Sequence, residues 1–241
     1  MFRPFNHQHL ITLGLLSLCG WLLVRGCRKW GERGIRRFGW VLALLLAAYA
    51  VTVYLQMGLA GELSWRYALP LEVCHWVMIA VVVSLIRPVQ LLSEVAYFWG
   101  TAGTLQATLT PDISSGFPSW EFILFFWSHG ATLLAILFLI VGQRFRPRPG
   151  SVVRMLIAIN LYAALVGTFD ALFGCNYGYL CLKPSEPSLM DFLGPWPWYL
   201  ASLEFIALAS FWLLDLPWKV RRRCRDLPPA AGGRQSKTES L

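Results

Sequence analysis

Two side chains in this sequence could together carry covalent chemistry, the thiol of Cys74 and the imidazole of His129. In such a pair the imidazole takes the proton of the thiol, and the thiolate then attacks an acyl carbonyl. A carboxylate can orient the imidazole as a third member, and Asp170 and Glu204 are the candidates for that position. The residue types therefore predict acyl-transfer chemistry, provided that the fold brings them together.

Each of these side chains also has a purely structural interpretation. A single cysteine in an apolar helix is usually a small packing residue. His75 follows Cys74 directly and is predicted to point to a different side of the helix, so it cannot serve as the base. Glu72 and His75, three residues apart, are predicted to meet on one helical face. Ser128 is next to His129 and is predicted to lie on another face, so it is not favoured as the nucleophile.

The composition places these residues in membrane helices. Of the 241 residues 56% are hydrophobic and only 14% are charged, and several apolar runs reach the roughly 17–25 residues that span a bilayer. We predict an all-α polytopic membrane protein whose transmembrane domain covers residues 1–220. Residues 221–241 are polar, basic and rich in Gly and Pro, which predicts a disordered cytoplasmic tail. The seven predicted spans are about 5–24, 38–58, 69–86, 91–110, 120–142, 151–174 and 196–216.

The basic residues predict the orientation of these spans. Of the 21 Lys and Arg residues, 18 lie in the connections after spans one, three and five or after span seven. Only Arg3, Arg66 and Lys183 fall on the other side. The positive-inside rule then predicts an N-terminus outside the cell and a C-terminus in the cytoplasm. The net charge of +8 is thus a topological signal that favours anionic lipid, and not nucleic acid, as the partner.

Depth along the spans predicts which polar side chains share a site. Counted at about 1.5 Å per residue from the outer helix ends, Cys74 lies about 7.5 Å deep and His129 about 13.5 Å deep. The outer half of the hydrocarbon core is about 15 Å thick. We predict one cavity, open to the outer leaflet, for the polar groups in this layer; separate satisfaction of each group by its neighbours is the alternative. The five groups are Cys74, Gln106, His129, Asp170 and Glu204.

Helix packing and the remaining cysteines give further expectations. In span four, small side chains fall on one predicted helical face that lets helices approach closely: Gly100, Gly103, Thr104 and Ala107. Cys175 and Cys181 lie on the outer side, where an oxidising compartment could join them, and a metal site is less favoured because no histidine lies in that loop. Cys27 and Cys224 lie beside basic residues and are read as reduced thiols or, less favoured, palmitoylation sites. The first span lacks a cleavage site and is expected to remain as a helix.

Several segments, taken in order, resemble a known family. They resemble the YwaF family of bacterial integral membrane proteins, and the resemblance covers about residues 69–217. The segments are LPLEVC, YFWGTAGTLQATLTPD, FPSWEFILFFWSHG, RPRPGSV, INLYAALVG and CNYGYLCLKPSEPSLMDFLGPWPWY. The resemblance implies a phospholipid acyltransferase activity, described for a eukaryotic branch whose cysteine and histidine match Cys74 and His129. Many members carry histidine at the position of Glu72.

The leading hypothesis is therefore acyl transfer on membrane phospholipid or lysophospholipid, with Cys74 as nucleophile and His129 as base. It needs no metal or other cofactor and places the protein in the plasma membrane, the inner membrane of a bacterium. The alternative is a small-molecule carrier or proton-coupled transporter that uses His129, Asp170 and Glu204 as a relay, although no internal repeat is visible. A third interpretation is a sensor or partner-binding membrane protein. The supporting polar residues of the predicted site are Glu72, His75, Gln106, Asp170, Asn176 and Glu204.

Overall fold

The structure, a computed structural model, describes residues 2–184 and 189–226. These residues form helices and no strand, which confirms the prediction of an all-α fold. Five helices are long: α1 (His7–Lys29), α2 (Glu32–Leu59), α6 (Trp120–Val141), α7 (Ser151–Phe173) and α8 (Trp198–Asp226). Between α2 and α6 lie α3 (Val73–Ile86), α4 (Gln90–Val95), a π-helix (Ala96–Thr104) and α5 (Leu105–Leu109). Short 3-10 turns cover Tyr177–Tyr179 and Leu189–Leu193. The predicted disordered tail lies, from residue 227 onward, outside the described residues.

The five long helices are each long and apolar enough to cross a membrane, within the part of the chain that the structure describes. Helix α3 is apolar but has only 14 residues. Helix α4, the π-helix and α5 follow one another without a break, with helical backbone angles at both junctions. These are the helices of a multi-pass membrane protein.

Helix α3 begins four residues later than the predicted start of span three. The chain before it forms turns because side chains from α7 and the following loop bind its backbone. The Tyr177 hydroxyl accepts a hydrogen bond from the Leu69 amide at 3.0 Å, and the Tyr162 hydroxyl donates one to the Leu71 carbonyl at 2.7 Å. Backbone groups satisfied in this way do not need helical partners. The start of α3 is therefore set by tertiary contacts.

The core forms where α3, the π-helix and α6 pack together. Gly100 lies at this contact: a Cβ atom added there would be 2.6 Å from Ile136 Cδ1 and 2.9 Å from Val77 Cγ1. A larger side chain would force Ile136 or Val77 to move, so glycine allows the three helices to approach closely. This agrees with the small-residue packing predicted for span four.

The predicted packing face of span four is right for Thr104 and wrong for Gly103, and Ala107 is only half-buried. The buried small residues after Gly100 are Thr104 and Thr108, whereas Gly103 is exposed and no described atom lies within 4 Å of its added Cβ. A π-helix bonds each residue to the fifth along and therefore has a longer repeat than an α-helix. The α-helical period used for the prediction consequently drifts off the buried face.

One end of the bundle, here called the aromatic end, gathers the N-terminus and three loops. The Phe2 amide donates to the Ser114 carbonyl at 2.8 Å. The loop after α7 contacts the chain before α3, since the Tyr177 hydroxyl also donates to the Trp65 carbonyl at 2.9 Å. The aromatic end thus comprises residues 2–6, 60–72, 110–119 and 174–184.

The opposite end, here called the basic end, joins the connections after α1, α3 and α6 to the end of α8. The Gln143 amide nitrogen donates to the Leu85 carbonyl at 2.8 Å. Arg222 donates to the Pro147 carbonyl at 3.1 Å and to the Asp215 carboxylate at 2.8 Å. These contacts tie the helices together where most of the basic side chains lie.

Polar residues dock helix α1 at the aromatic end. Asn6 caps the helix by accepting from the His9 amide at 2.9 Å. The fully buried His9 ring has its Nε2 2.9 Å from the Thr108 carbonyl, while its Nδ1 accepts from the Phe5 amide at 2.8 Å. Gln8 accepts from the Phe117 amide at 3.1 Å. The polar residues at the start of the first span are therefore anchors of that helix.

Candidate active site at the aromatic end

Helices α3 and α6 bring Cys74 and His129 together. Glu72 is the N-cap of α3, so Cys74 lies in the first helical turn. His129 lies nine residues after Trp120, or about 13.5 Å along α6. The distance from Cys74 Sγ to His129 Nε2 is 3.8 Å.

The structure corrects the predicted position of Cys74 along its helix. The sulfur lies near the start of α3 and not about 7.5 Å along it, because the helix begins at Val73. Yet it contacts a residue well inside α6. Helix α3 therefore starts deeper in the bundle than α6 does, and residues 60–72 descend to reach it.

The hydrogen bonds of His129 define the state of its ring. Nδ1 lies 3.0 Å from the Phe125 carbonyl oxygen, which can only accept. Nδ1 therefore carries the proton, and in the neutral imidazole the lone pair is on Nε2, the nitrogen that contacts Cys74. The ring also stacks on Phe125 with its centroid 4.2 Å away. Helix α6 thus presents a base that is fixed in tautomer and orientation.

The two side chains of the pair differ in exposure. The Cys74 side chain is exposed and His129 is half-buried. The 3.8 Å separation is within reach of a weak sulfur hydrogen bond, and catalytic pairs often tighten only when a substrate binds. A molecule that reached this side of α3 would therefore meet the sulfur and the ring nitrogen together.

The expected separation of Ser128 from His129 is wrong. Ser128 Oγ lies 2.9 Å from His129 Nδ1 and donates to the Phe125 carbonyl at 3.0 Å. Both side chains fold back onto the Phe125 carbonyl of the preceding turn. They therefore meet there although they start from different faces of the helix. Because Nδ1 is the protonated nitrogen, it cannot take a proton from the serine. Ser128 therefore positions the ring.

Glu72 contacts the loop after α7 and not His75. Its carboxylate accepts from the Gly178 amide at 2.9 Å, and His75 Nδ1 has no hydrogen-bond partner among the described residues. The predicted Glu72–His75 pair fails because Glu72 has extended backbone angles and lies outside the helix. Gly178 has φ of +64°, and an added Cβ there would be 2.7 Å from the Tyr162 hydroxyl. A glycine is required at this contact.

Asp170 lies in the last turn of α7, close to Glu72 but away from His129. Its side chain is 1% exposed, and neither carboxylate oxygen has a hydrogen bond of normal geometry with a described residue. The backbone amide of Tyr177 interacts with the carboxylate. Asp170 and Glu72 repel each other electrostatically. Asp170 is consequently not the third member that orients the imidazole; the Phe125 carbonyl has that position.

Two other predicted residues point away from the pair. Gln106 is exposed and donates to Thr110 on its own helix at 2.8 Å. Glu204 is exposed and accepts from Asn160 of α7 at 2.7 Å. The π-helix before Gln106 changes the direction of the side chains that follow it, and Glu204 faces the neighbouring helix. The single cavity predicted from depth alone therefore does not include either residue.

Asn176 organises the loop after α7. Its side-chain oxygen accepts from the amides of Cys181 and Leu182 at 3.1 and 2.9 Å. Cys175 and Cys181 are both free thiols, so the disulfide considered above is not formed. Burial raises the pKa of the Cys181 thiol, which keeps it neutral. Across the described ranges, no three His, Cys, Asp or Glu side chains cluster as a metal site.

Two tyrosines near the site were missed in the sequence. Tyr162 and Tyr177 hold the backbone before α3 and so fix the position of Cys74. Burial raises the pKa of Tyr177, so its phenol stays neutral and can donate. Both lie in segments that carry the family resemblance, INLYAALVG and CNYGYLCLKPSEPSLMDFLGPWPWY, and this is the sequence signal for them.

Comparison with known proteins gives one match. No curated protein and no solved structure shows significant similarity to the chain. A family model does match, over residues 4–215, and this range contains both Cys74 and His129. The match covers well over half of the chain. The chain therefore belongs to the TMEM164 family, a family of transmembrane proteins.

Proposed function

We propose that the chain is an acyl-transfer enzyme for membrane phospholipid, acting as a transacylase, acyltransferase or lipase. Cys74 is the nucleophile and His129 is the base. One observation carries the proposal: the sulfur lies 3.8 Å from the ring nitrogen that bears the lone pair. Membership in a transmembrane family supports a lipid substrate, because the helices that carry the two side chains belong to a membrane protein.

The chemistry proceeds in two balanced steps. Nε2 of His129 takes the thiol proton, and the Cys74 thiolate attacks the ester carbonyl of a phospholipid. The tetrahedral intermediate collapses, the C–O bond breaks, and the imidazolium returns the proton to the departing lysolipid. An acyl-Cys74 thioester remains. The hydroxyl of a second lysolipid, or water, then loses a proton to His129 and attacks the thioester, which restores the thiol.

The start of α3 supports the charge that develops in these steps. The first amides of a helix have no intrahelical acceptor, and the helix dipole favours negative charge at this end. Cys74 lies in that first turn. The oxyanion of the tetrahedral intermediate would form beside the amides of Val73 and Cys74, which act as its donors in this proposal.

The proposal includes the orientation of the chain in the plasma membrane. It counts α3 and the continuous run from Gln90 to Leu109 as spans, which gives seven crossings with the aromatic end outside. Acyl-CoA is charged and cytoplasmic, so it could not reach Cys74 from its own compartment. A phospholipid of the outer leaflet could, because the bilayer brings its ester to the site. The acyl donor is then a phospholipid.

Cysteine labelling tests this orientation. In a chain from which the native cysteines have been removed, Asp112→Cys should react with a membrane-impermeant maleimide added to intact cells. Arg146→Cys should react only after permeabilisation. Labelling of position 146 from outside would overturn the orientation.

Lipid exchange tests the activity. Purified protein in liposomes with labelled phospholipid should transfer label to added lysolipid without CoA. Cys74→Ala should abolish the transfer, and Cys19→Ala, which changes an exposed thiol on α1, should leave it intact. Transfer that requires acyl-CoA would overturn the donor. No transfer under either condition would favour the carrier, although His129, Asp170 and Glu204 share no hydrogen bond in the described chain.

A further inference from the structure

A cavity lies between α2 and α3 on the flank next to Cys74. Its volume is about 650 Å³. The walls come from one face of each helix, including Ala50 and Tyr54 of α2 and Met78 and Ile79 of α3. Residues of the connecting segment 63–70 form the end nearest the aromatic end. The cavity thus runs along the two helices from the loop into the membrane-spanning part.

The cavity continues toward the Cys74–His129 pair. A second cavity of about 60 Å³ shares several walls with the first and extends to Tyr49. Tyr49 lies beside Ser128, whose hydroxyl contacts the ring of His129 at 2.9 Å. On α3, Met78 of the cavity wall is four residues after Cys74, so the two side chains lie on the same side of the helix. The cavity and the reactive pair therefore occupy adjoining flanks of α3.

We propose that this cavity, here called the α2–α3 groove, binds one acyl chain of the glycerolipid substrate with its ester at the Cys74 end. The inference rests on the proposed function. Three observations select a hydrocarbon chain as the occupant. The walls are mostly apolar, the large apolar lining residues Leu63 and Ile79 are exposed, and the volume is that of a site for one small molecule.

The direction of the chain follows from the bilayer. Lipid esters lie near the interface and methyl ends lie deeper. Cys74 is in the first turn of α3 at the aromatic end, whereas Ile79 and Ala50 are further along their helices from that end. The chain runs from Cys74 past Met78 toward these deeper residues.

His75 provides one polar contact in the groove. It lines both cavities, and its Nδ1 is buried without a hydrogen-bond partner among the described residues. A buried polar atom without a partner is unfavourable unless a ligand satisfies it. In the proposed pose, the ester or glycerol oxygens of the lipid lie at the depth of His75 Nδ1. His75 donates to one of them and so acts as a positioning residue, while His129 remains the base.

Photolabelling tests occupancy independently of catalysis. The full chain in phosphatidylcholine nanodiscs is mixed with a lysophosphatidylcholine whose acyl chain ends in a diazirine, irradiated and digested. Wild type and Cys74→Ala should both be labelled on the peptides that contain Tyr54 and Ile79. Ala50→Trp, which fills the groove, should lose this labelling. Ala47→Trp, on an exposed part of the same helix outside the groove, should keep it.

A second variant guards against misfolding of Ala50→Trp. Ala68 lines the groove from the connecting segment, so Ala68→Trp should block labelling without changing a helix. If labelling persists in both tryptophan variants, or never reaches Tyr54 and Ile79, the groove does not bind the acyl chain. This holds even if lipid exchange still requires Cys74. If the groove is labelled normally in a protein that has no exchange activity, the proposed function is overturned but acyl-chain binding in the groove is supported.

Kinetics test the role of His75. His75→Phe should raise the KM for lysolipid about fivefold with little change in kcat, the effect of losing one hydrogen bond made in the ground state. His75→Asn keeps a donor and should recover most of the affinity. Equal KM values in wild type and His75→Phe would remove His75 from the proposal.

Discussion

Two buried carboxylates, one at each end of the bundle, have opposite surroundings. Glu94 at the basic end is 0% exposed and accepts hydrogen bonds from the guanidinium groups of Arg148 and Arg154 and from the Ser151 hydroxyl, all at 2.8–3.3 Å. Asp170 at the aromatic end is 1% exposed and has no hydrogen bond of normal geometry with any described residue. The first carboxylate joins helices. The second leaves part of its binding capacity unused.

The comparison distinguishes a buried carboxylate with a structural role from one without hydrogen-bond partners among the described residues. A buried carboxylate is tolerated when its partners compensate for lost hydration, as Arg148 and Arg154 do for Glu94. Glu94 in turn raises the pKa of Arg148, so this ion pair stays charged at physiological pH. Toward the aromatic end, unsatisfied atoms remain instead on Asp170, which is close to Glu72, and on His75, which follows Cys74 in the sequence. Such groups persist near functional sites more often than in packing regions.

The largest loss of stability is expected when Glu94, the carboxylate with hydrogen-bond partners, is removed. Glu94→Ala leaves Arg148 and Arg154 without their shared partner and should lower the free energy of unfolding by about 3–5 kcal/mol. Thermal unfolding of the purified protein in detergent measures the change. Asp170→Ala is the matched control, and it should be much less destabilising because it breaks no ion pair. Equal losses of stability would remove the distinction between the two ends.

The next effect concerns the helix contact that carries Cys74 toward α6. Gly100→Ala places a methyl group against Ile136 and Val77 and should destabilise the protein by about 1–3 kcal/mol. Gly103→Ala should be neutral, because no described atom lies within 4 Å of the new methyl group. Unfolding curves of both variants under identical conditions would show the difference. A stable Gly100→Ala variant would mean that the three helices can separate at little expense.

A smaller effect is expected for the unsatisfied carboxylate. Asp170→Asn removes the charge while keeping the shape, so stability should be unchanged or rise by about 1 kcal/mol, since an unpaired buried charge is unfavourable. Glu94→Gln should still be destabilising. If Asp170→Asn unfolds the protein as readily as Glu94→Gln does, Asp170 has a structural partner after all.

The smallest effect is expected at Ser128. Ser128→Ala removes one contact of the His129 ring but leaves the Phe125 carbonyl that fixes its tautomer. Lipid exchange should therefore fall only about two- to fivefold, as expected for part of one hydrogen bond. Complete loss of exchange, as for Cys74→Ala, would make Ser128 a candidate nucleophile.

The helical architecture followed from the sequence because apolar composition and helix length are local properties. Cys74 and His129 could also be selected from the sequence, since thiol and imidazole are scarce in apolar segments. Their environment could not. The protonated nitrogen of His129 depends on a carbonyl that any residue carries, and the Glu72–Gly178 contact joins distant segments. The depth of Cys74 depends on where α3 starts, which tertiary contacts decide.

Neither the π-helix nor the α2–α3 groove could be predicted from the sequence. No residue pattern marks the change from i→i+4 to i→i+5 bonding at Ala96, yet it displaced Gly103 from the predicted packing face. The α2–α3 groove is a space between elements, and its residues are ordinary apolar ones. Sequence reasoning selected the reactive side chains but not the geometry that would make them specific.

The central claim is that Cys74 carries the acyl group, and trapping that thioester tests it most directly. The protein is incubated with phosphatidylcholine of one defined acyl chain, quenched in acid, digested and examined by mass spectrometry. We expect one acyl adduct on the Cys74 peptide, removable by neutral hydroxylamine, absent in Cys74→Ala and formed much more slowly in His129→Ala. Lipid exchange that proceeds with no adduct on Cys74, or with the adduct on Ser128, would contradict the account.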